Sequence, residues 1–215
     1  QGYDLIPARL PVAPPGRGLT KKQKLTRIVA NTLAATGHVE VLNYPFLSAE
    51  QNSLFSESAS PVMLANPIQE DVNQLRVSML PGLLEAASRN SSRTLVNLSL
   101  FEIGLVFLPS KSQASVNLPI GNEKPSKTEL SKLLDSIPAQ PLSLGMLFMG
   151  ERLTQQVGRK AVKSSYLDAV AAAKVLCSQV GLHLTVEQAA PKGMHPGRSA
   201  TLSVGGVVIG IAGEI

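Results

Sequence analysis

Apolar residues alternate through residues 95–109, with Leu98, Leu100 and Glu102 on one face and Phe101, Ile103, Leu105 and Phe107 on the other. This period of two predicts a strand, and its length predicts a central antiparallel one. Pro109 has no N–H to give a ladder and stops the pairing. Gly104, inside the run, predicts a bulge or a close backbone approach. A helical period replaces the alternation at Leu25, Ile28, Val29, Thr32 and Leu33. That stripe predicts a helix opened by a capping box, Thr20 to Gln23, and ended by Gly37 in a left-handed conformation. Residues 39–46 read as a strand, 53–60 as a polar loop, and 62–65 and 75–78 as short strands. Pro81 suits the first turn of a helix that buries Leu83, Leu84 and Ala87 and stops near Asn90.

Beyond Pro109 the pattern turns polar over 111–141, interrupted by a second capping box at Ser126 to Glu129. Residues 142–149 resume strand character. The basic stretch 152–163 carries no element in its pattern and is expected to be mobile. An alanine-rich helix is predicted over 166–180, capped by Gly181, then a strand over 182–187 and a loop over 190–198. Gly205-Gly206 between two apolar runs predicts a hairpin, because both residues tolerate positive φ. Strands outnumber helices and are mostly hairpin-linked, so the expected class is α+β: an antiparallel sheet with flanking helices, packed on one face.

Composition narrows the function classes. With 215 residues and 44% hydrophobic content, the chain can bury about 70% of its unfolded surface. No apolar run approaches the roughly 18 residues that a membrane span needs, so no membrane partner is expected. One cysteine, Cys177, lies in a helical pattern and reads as a small core residue; without a disulfide framework the expected location is cytoplasmic. The chain opens at Gln1 and stops at Ile215 in an apolar run, which predicts an excerpt of a longer polypeptide. Six basic residues and no acidic one fall in residues 5–39 (Arg9, Arg17, Lys21, Lys22, Lys24, Arg27), leaving 14 of the 20 basic residues against all 15 acidic ones elsewhere. The basic balance is therefore local, a solvated helix face or a contact with RNA or a partner.

Catalytic signatures are scarce. No phosphate-binding glycine loop or paired Cys/His metal spacing occurs, and His38, His183 and His195 stand far apart. His195-Pro-Gly-Arg198 puts an imidazole and a guanidinium in one loop, either an anion site or a structural turn. Glu70 and Asp71 are adjacent and fit a solvated turn better than an acid–base pair.

Four motifs in order, Gly2-Tyr-Asp-Leu-Ile-Pro7, Leu75-Arg-Val-Ser-Met-Leu-Pro-Gly-Leu-Leu84, Leu100-Phe-Glu-Ile-Gly-Leu-Val-Phe107 and His195-Pro-Gly-Arg-Ser-Ala200, closely resemble the β subunits of bacterial phenylalanyl-tRNA synthetases. The resemblance implies a class II aminoacyl-tRNA synthetase core. It divides the chain into the tail of a preceding domain with a proline-rich connector (1–18) and a catalytic-like module (19–215) with a polar insertion at about 111–141. Thr20 to Thr36, followed by Gly37-His-Val-Glu-Val41 and Pro45, resembles motif 1 of that class, with His38 replacing the usual aromatic and the proline one residue late. In the family this motif builds the subunit interface, so Leu25, Ile28, Val29 and Leu33 are the candidate interface residues; packing in their own core produces the same stripe. Leu108 and Pro109 stand where an active synthetase carries the motif 2 arginine that grips the ATP α-phosphate, and an apolar side chain cannot neutralise that charge. Motif 3 is not recognisable. The resemblance thus implies a non-catalytic module with no catalytic, cofactor or metal residue of its own. Its expected partner is the catalytic α subunit, in an assembly of two α and two β subunits. The whole enzyme would use ATP and Mg²⁺ and charge tRNA. The alternatives are an RNA-binding module using the basic segment and Arg152, Arg159, Lys160 and Lys163, and an active class II ligase domain.

Overall fold

A computed structural model describes residues 2–12, 16, 18–56, 61–109, 121 and 124–215. After a short 3-10 turn at Tyr3–Leu5, the described residues form five helices, α1 (Lys21–Ala35), α2 (Ala49–Ser53), α3 (Leu80–Ser91), α4 (Lys127–Ser136) and α5 (Tyr166–Gln179). Between them lie ten strands: β1 (Val39–Glu40), β2 (Phe46–Leu47), β3 (Gln74–Leu75), β4 (Leu98–Leu105), β5 (Leu142–Met149), β6 (Glu151–Leu153), β7 (Val162–Lys163), β8 (Thr185–Gln188), β9 (Ser199–Val204) and β10 (Val207–Gly213). The long alternating run is β4, the middle strand of the sheet β1-β4-β5. It pairs antiparallel with β5 in unbroken register from Leu98↔Met149 to Leu105↔Leu142, and parallel with β1. A second sheet, β10-β9-β8, is antiparallel, with its hairpin turn at Gly205 and Gly206, both at positive φ. The class α+β with flanking helices therefore stands.

Helices cover both faces of the first sheet, not the one face expected. Leu100 and Leu147 pack with Met79, Leu83, Ala86 and Ala87 around α3, whereas Phe101 packs on the opposite side with Leu33 of α1 and Leu176 of α5. The reason lies in β4 itself, whose consecutive residues Leu100, Phe101 and Glu102 are all buried, so neither face is left to water. The capping boxes behave as predicted. In α1 the Thr20 hydroxyl accepts the Gln23 N–H at 3.2 Å while the Gln23 side chain accepts the Thr20 N–H at 2.9 Å, and Ser126 and Glu129 repeat the arrangement in α4.

Several expectations are corrected. Residues 39–46 do not form one strand: after Val41 donates to the Phe101 carbonyl, Asn43 turns inward to Glu102 and the Pro45 carbonyl accepts from Arg76, which draws the chain off the ladder. The loop expected at 53–60 is preceded by α2, whose box, Ser48 with Gln51, spans a single turn too short to show a period; residues 57–60 lie outside the described residues. Residues 62–65 contribute only a bridge, Met63 to Gln74. The stretch 152–163 is the hairpin β6–β7, turned at Gly158 and anchored where Arg152 meets Asp168 at 3.1 Å.

Gly104 proves to be a close approach. A Cβ there would collide with the Arg76 guanidinium, which crosses β4 to reach Glu102. Glu102, wholly buried, accepts from Arg76 Nη1 at 2.6 Å and from Asn43 Nδ2 at 2.7 Å, and Arg76 Nε donates to the Leu105 carbonyl at 2.9 Å. Removing one charge strands the other in the core, at a cost of about 3–5 kcal/mol. Glu102→Gln and Arg76→Met should each lower stability by that order in urea unfolding. The joint change Arg76→Met with Glu102→Leu should cost much less than the sum.

Candidate functional site

The interface stripe splits when it is placed in the fold. Leu33 is 1% exposed and belongs to the core with Phe101 and Leu176, and Val29 is half-buried beside it. Leu25 and Ile28 remain 48% and 42% exposed. Hence α1 is held to its own sheet by one flank, Val29 and Leu33, and presents Leu25 and Ile28 on the other. Leu25 also lines, with Lys22 and Val29, the mouth of a long apolar trough of about 990 Å³ between the two sheets.

Among the described residues, those a nucleotide site would require do not come together. Leu108 continues past β4 as an isolated bridge, its N–H donating to the Ala139 carbonyl at 2.9 Å, so an apolar side chain holds the position of the expected arginine. Arg76 is no substitute, since its side chain is 7% exposed and fixed on Glu102. Among the described residues no three His, Cys, Asp or Glu side chains converge as metal ligands. The described residues at this position therefore offer no free charge to a nucleotide phosphate.

Most of the remaining candidates make contacts within the fold. In the 195–198 loop, Arg198 donates to both Glu214 oxygens at 2.6 and 2.9 Å, the His195 N–H donates to the Glu214 carbonyl at 2.7 Å, and the Gly197 N–H donates to His195 Nδ1 at 3.0 Å. The guanidinium already holds a carboxylate, so the loop is a clasp on the end of β10. Cys177 is buried against Leu184, Leu202 and Ala212. His38 Nδ1 lies 3.0 Å from the Thr36 hydroxyl and 3.2 Å from the Leu33 carbonyl, with its ring edge-on to Phe148. Glu70 and Asp71 are exposed in a turn. The basic hairpin loses Arg152 to Asp168, while Arg159, Lys160 and Lys163 stay exposed.

The whole sequence from residue 6 to 215 matches the family model described as "Phenylalanyl tRNA synthetase beta chain CLM domain". The chain belongs to this family. It is 44% identical to a protein of Leifsonia xyli named phenylalanine–tRNA ligase beta subunit and 40% identical to one of Thermobifida fusca with the same name. All of this chain is covered in both comparisons, but only 26% and 27% of those relatives, so it spans about a quarter of their length. Among solved structures it resembles a Desulfitobacterium hafniense pyrrolysyl-tRNA synthetase, with a TM-score of 0.52 at 16% identity over 87% of this chain and 54% of that one. That likeness is of fold, and it agrees with the class II synthetase core that the resemblance implied.

The Arg76, Glu102 and Asn43 network and the trough were not singled out in the sequence. A signal for the first existed: a lone carboxylate within an otherwise apolar strand demands a buried partner. The trough had no such signal, because it is formed by strand edges brought together from distant segments.

The hydrogen bonds from Arg198 hold the Glu214 carboxyl below the usual carboxylate range, outweighing its desolvation, and the His195 charge adds to the effect. A folded value below the unfolded one, about 4.3, means that the stabilisation is present above that unfolded value and is lost as pH falls through the folded one. Glu214→Gln should therefore lower the urea midpoint near pH 6, and its difference from the parent should shrink as pH falls below the unfolded carboxylate value. A difference that does not shrink on acidification would rule out the clasp as its source.

Proposed function

We propose that this domain is a non-catalytic structural module of a phenylalanine–tRNA ligase β subunit, and that it docks on the catalytic α subunit of that enzyme. Residues 1–18 serve as a connector and 19–215 as the module, with 111–141 as an insertion, part of which (111–120, 122 and 123) lies outside the described residues. In this reading the α subunit activates phenylalanine with ATP and Mg²⁺, two α and two β subunits assemble in the cytoplasm, and tRNA is handled by the whole enzyme. The observation that carries the proposal is the division of labour on α1 within a chain of this family. One flank locks the helix into the core through Leu33, and the other offers Leu25 and Ile28 to a partner.

The apolar character at Leu108 supports a scaffold rather than an active ligase, since a phosphate contact contributes to transition-state stabilisation only where a charge or donor is aimed at it. On this chain that place is taken by a leucine bonded through its backbone to Ala139.

The test is capture of the catalytic α subunit by the full-length β subunit carrying Leu25→Glu with Ile28→Glu. Both positions are exposed enough to tolerate charge without unfolding. A buried interface anchor contributes about 1–2 kcal/mol or more, so affinity should fall at least roughly fivefold for each such residue. Undiminished capture would show that α1 is not the contact. Leu33→Glu serves as the contrast and should unfold the module instead.

A further inference from the structure

The hairpin β6–β7 shares no residue with the α1 flank, and none of residues 151–163 lines the trough. Its root is pinned by three contacts. Asn97 Oδ1 accepts the Glu151 N–H at 2.8 Å, and the Ser164 N–H donates to the Gly150 carbonyl at 2.8 Å. Arg152 reaches Asp168, whose carboxylate also accepts the Ser165 N–H at 2.7 Å at the start of α5. Gly150 stands at positive φ, where a Cβ would collide with the Val96 carbonyl and the Asn97 side chain. The tip is a two-residue turn, Val157-Gly158, closed by reciprocal backbone bonds of 3.0 Å between Gln156 and Arg159. The ribbon is thus held in place before any partner arrives, and binding loses little ordering entropy.

The charge on this ribbon has one sign. Between Glu151 and Asp168 the sequence holds no carboxylate and four basic residues, Arg152, Arg159, Lys160 and Lys163. Arg152 is paired at the root, whereas the other three are exposed and form no ion pair among the described residues. Thr154, Gln155 and Gln156 are exposed beside them, and each side chain can donate a hydrogen bond. An anion complements such a surface. A protein partner fits it poorly, because interface cores are built on desolvated apolar or aromatic anchors and are depleted in lysine. Val157 is the sole exposed large hydrophobic residue of 151–163. An unpaired base fits poorly too, since residues 151–165 contain no aromatic side chain on which it could stack. Contacts from Arg, Lys, Thr and Gln to phosphate oxygens are, by contrast, the sequence-independent means by which proteins hold a nucleic-acid backbone.

We propose that the β6–β7 hairpin is an arm that binds the backbone of a helical RNA stem, with Arg159, Lys160 and Lys163 each meeting a phosphate. The shallow minor groove of such a stem displays 2′-hydroxyls and flanking phosphates, which donors on a narrow ribbon reach without reading bases. The proposal deepens the reading given above and rests on it in one respect: for a module of a phenylalanine–tRNA ligase, the stem belongs to tRNA. It assigns that contact to a surface of this chain separate from the one that docks on the α subunit.

Titration of the assembled enzyme with tRNA at a series of salt concentrations tests the arm, comparing the parent with Arg159→Gln, Lys160→Gln and Lys163→Gln combined. All three side chains are exposed and unpaired, so the variant keeps the fold. With three fewer phosphates neutralised, the dependence of log Kd on log salt should flatten by about two to three. Kd at low salt should rise roughly tenfold or more, by the same factor for tRNAs of unrelated sequence. An unchanged slope would overturn the proposal, and so would a loss confined to one tRNA, which would mean base readout. The charge-retaining variant Arg159→Lys, Lys160→Arg and Lys163→Arg should keep the parent slope; weakened binding there would overturn a purely electrostatic arm. Loss of α-subunit capture by the glutamine variant, with the tRNA slope intact, would assign the hairpin to a protein partner instead. Should Leu25→Glu with Ile28→Glu leave capture undiminished, the docking reading fails while the enzyme still assembles and the tRNA titration remains readable, so the two failures are distinguishable.

Discussion

A carboxylate in the middle of a strand covered on both faces is the constraint on which the first half of the molecule depends. Glu102 has no access to water, and its charge is tolerated because Arg76 and Asn43 reach it with bonds of 2.6 and 2.7 Å. Arg76 in turn gives its Nε to the Leu105 carbonyl and its backbone N–H to the Pro45 carbonyl, and its own carbonyl accepts from Phe107. Two segments that are remote in sequence, at Asn43–Pro45 and at Arg76, are thereby fixed to one strand. Any pairing that separated them would leave a charge unpartnered in the core, so the network acts on which arrangement is allowed more than on how much free energy is gained. Gly104 belongs to the same constraint, since a side chain there would occupy the path of the guanidinium.

This commitment of charge to architecture bears on function. Three arginines, Arg76, Arg152 and Arg198, are turned onto Glu102, Asp168 and Glu214 of the same chain instead of toward an anion. The position resembling the phosphate-gripping arginine is the leucine at 108. The module leaves exposed the apolar outer flank of α1, the trough between the sheets and the basic side chains of Arg159, Lys160 and Lys163.

The candidate interface was legible only in part. The period of 3.6 identified all four residues of the α1 stripe, yet the same period arises whether the stripe meets its own sheet or a partner. Contact with Phe101 and Leu176 assigned Leu33 to the core, while Leu25 and Ile28 stayed outside. Nothing in the local pattern of either residue pair distinguishes them. The 195–198 loop shows the same limit, because Arg198 could be read as an anion site until Glu214, 16 positions later, was found beside it.

Features governed by near neighbours in the chain were determined by the sequence alone. The capping boxes at Thr20 and Ser126, the stop at Gly37, strand β5 and the Gly205-Gly206 hairpin all follow from bonds or backbone angles spanning a few residues. The tertiary structure decided what depends on contacts across the chain: the parallel pairing of β1 with β4, helices on both faces, the hairpin at 151–163 and the meeting of β5 with β10 across the trough. The physical reason is that a short period records which side of an element is buried, whereas the identity of what buries it is settled by packing and by the pairing of charges that the chain brings together only when folded.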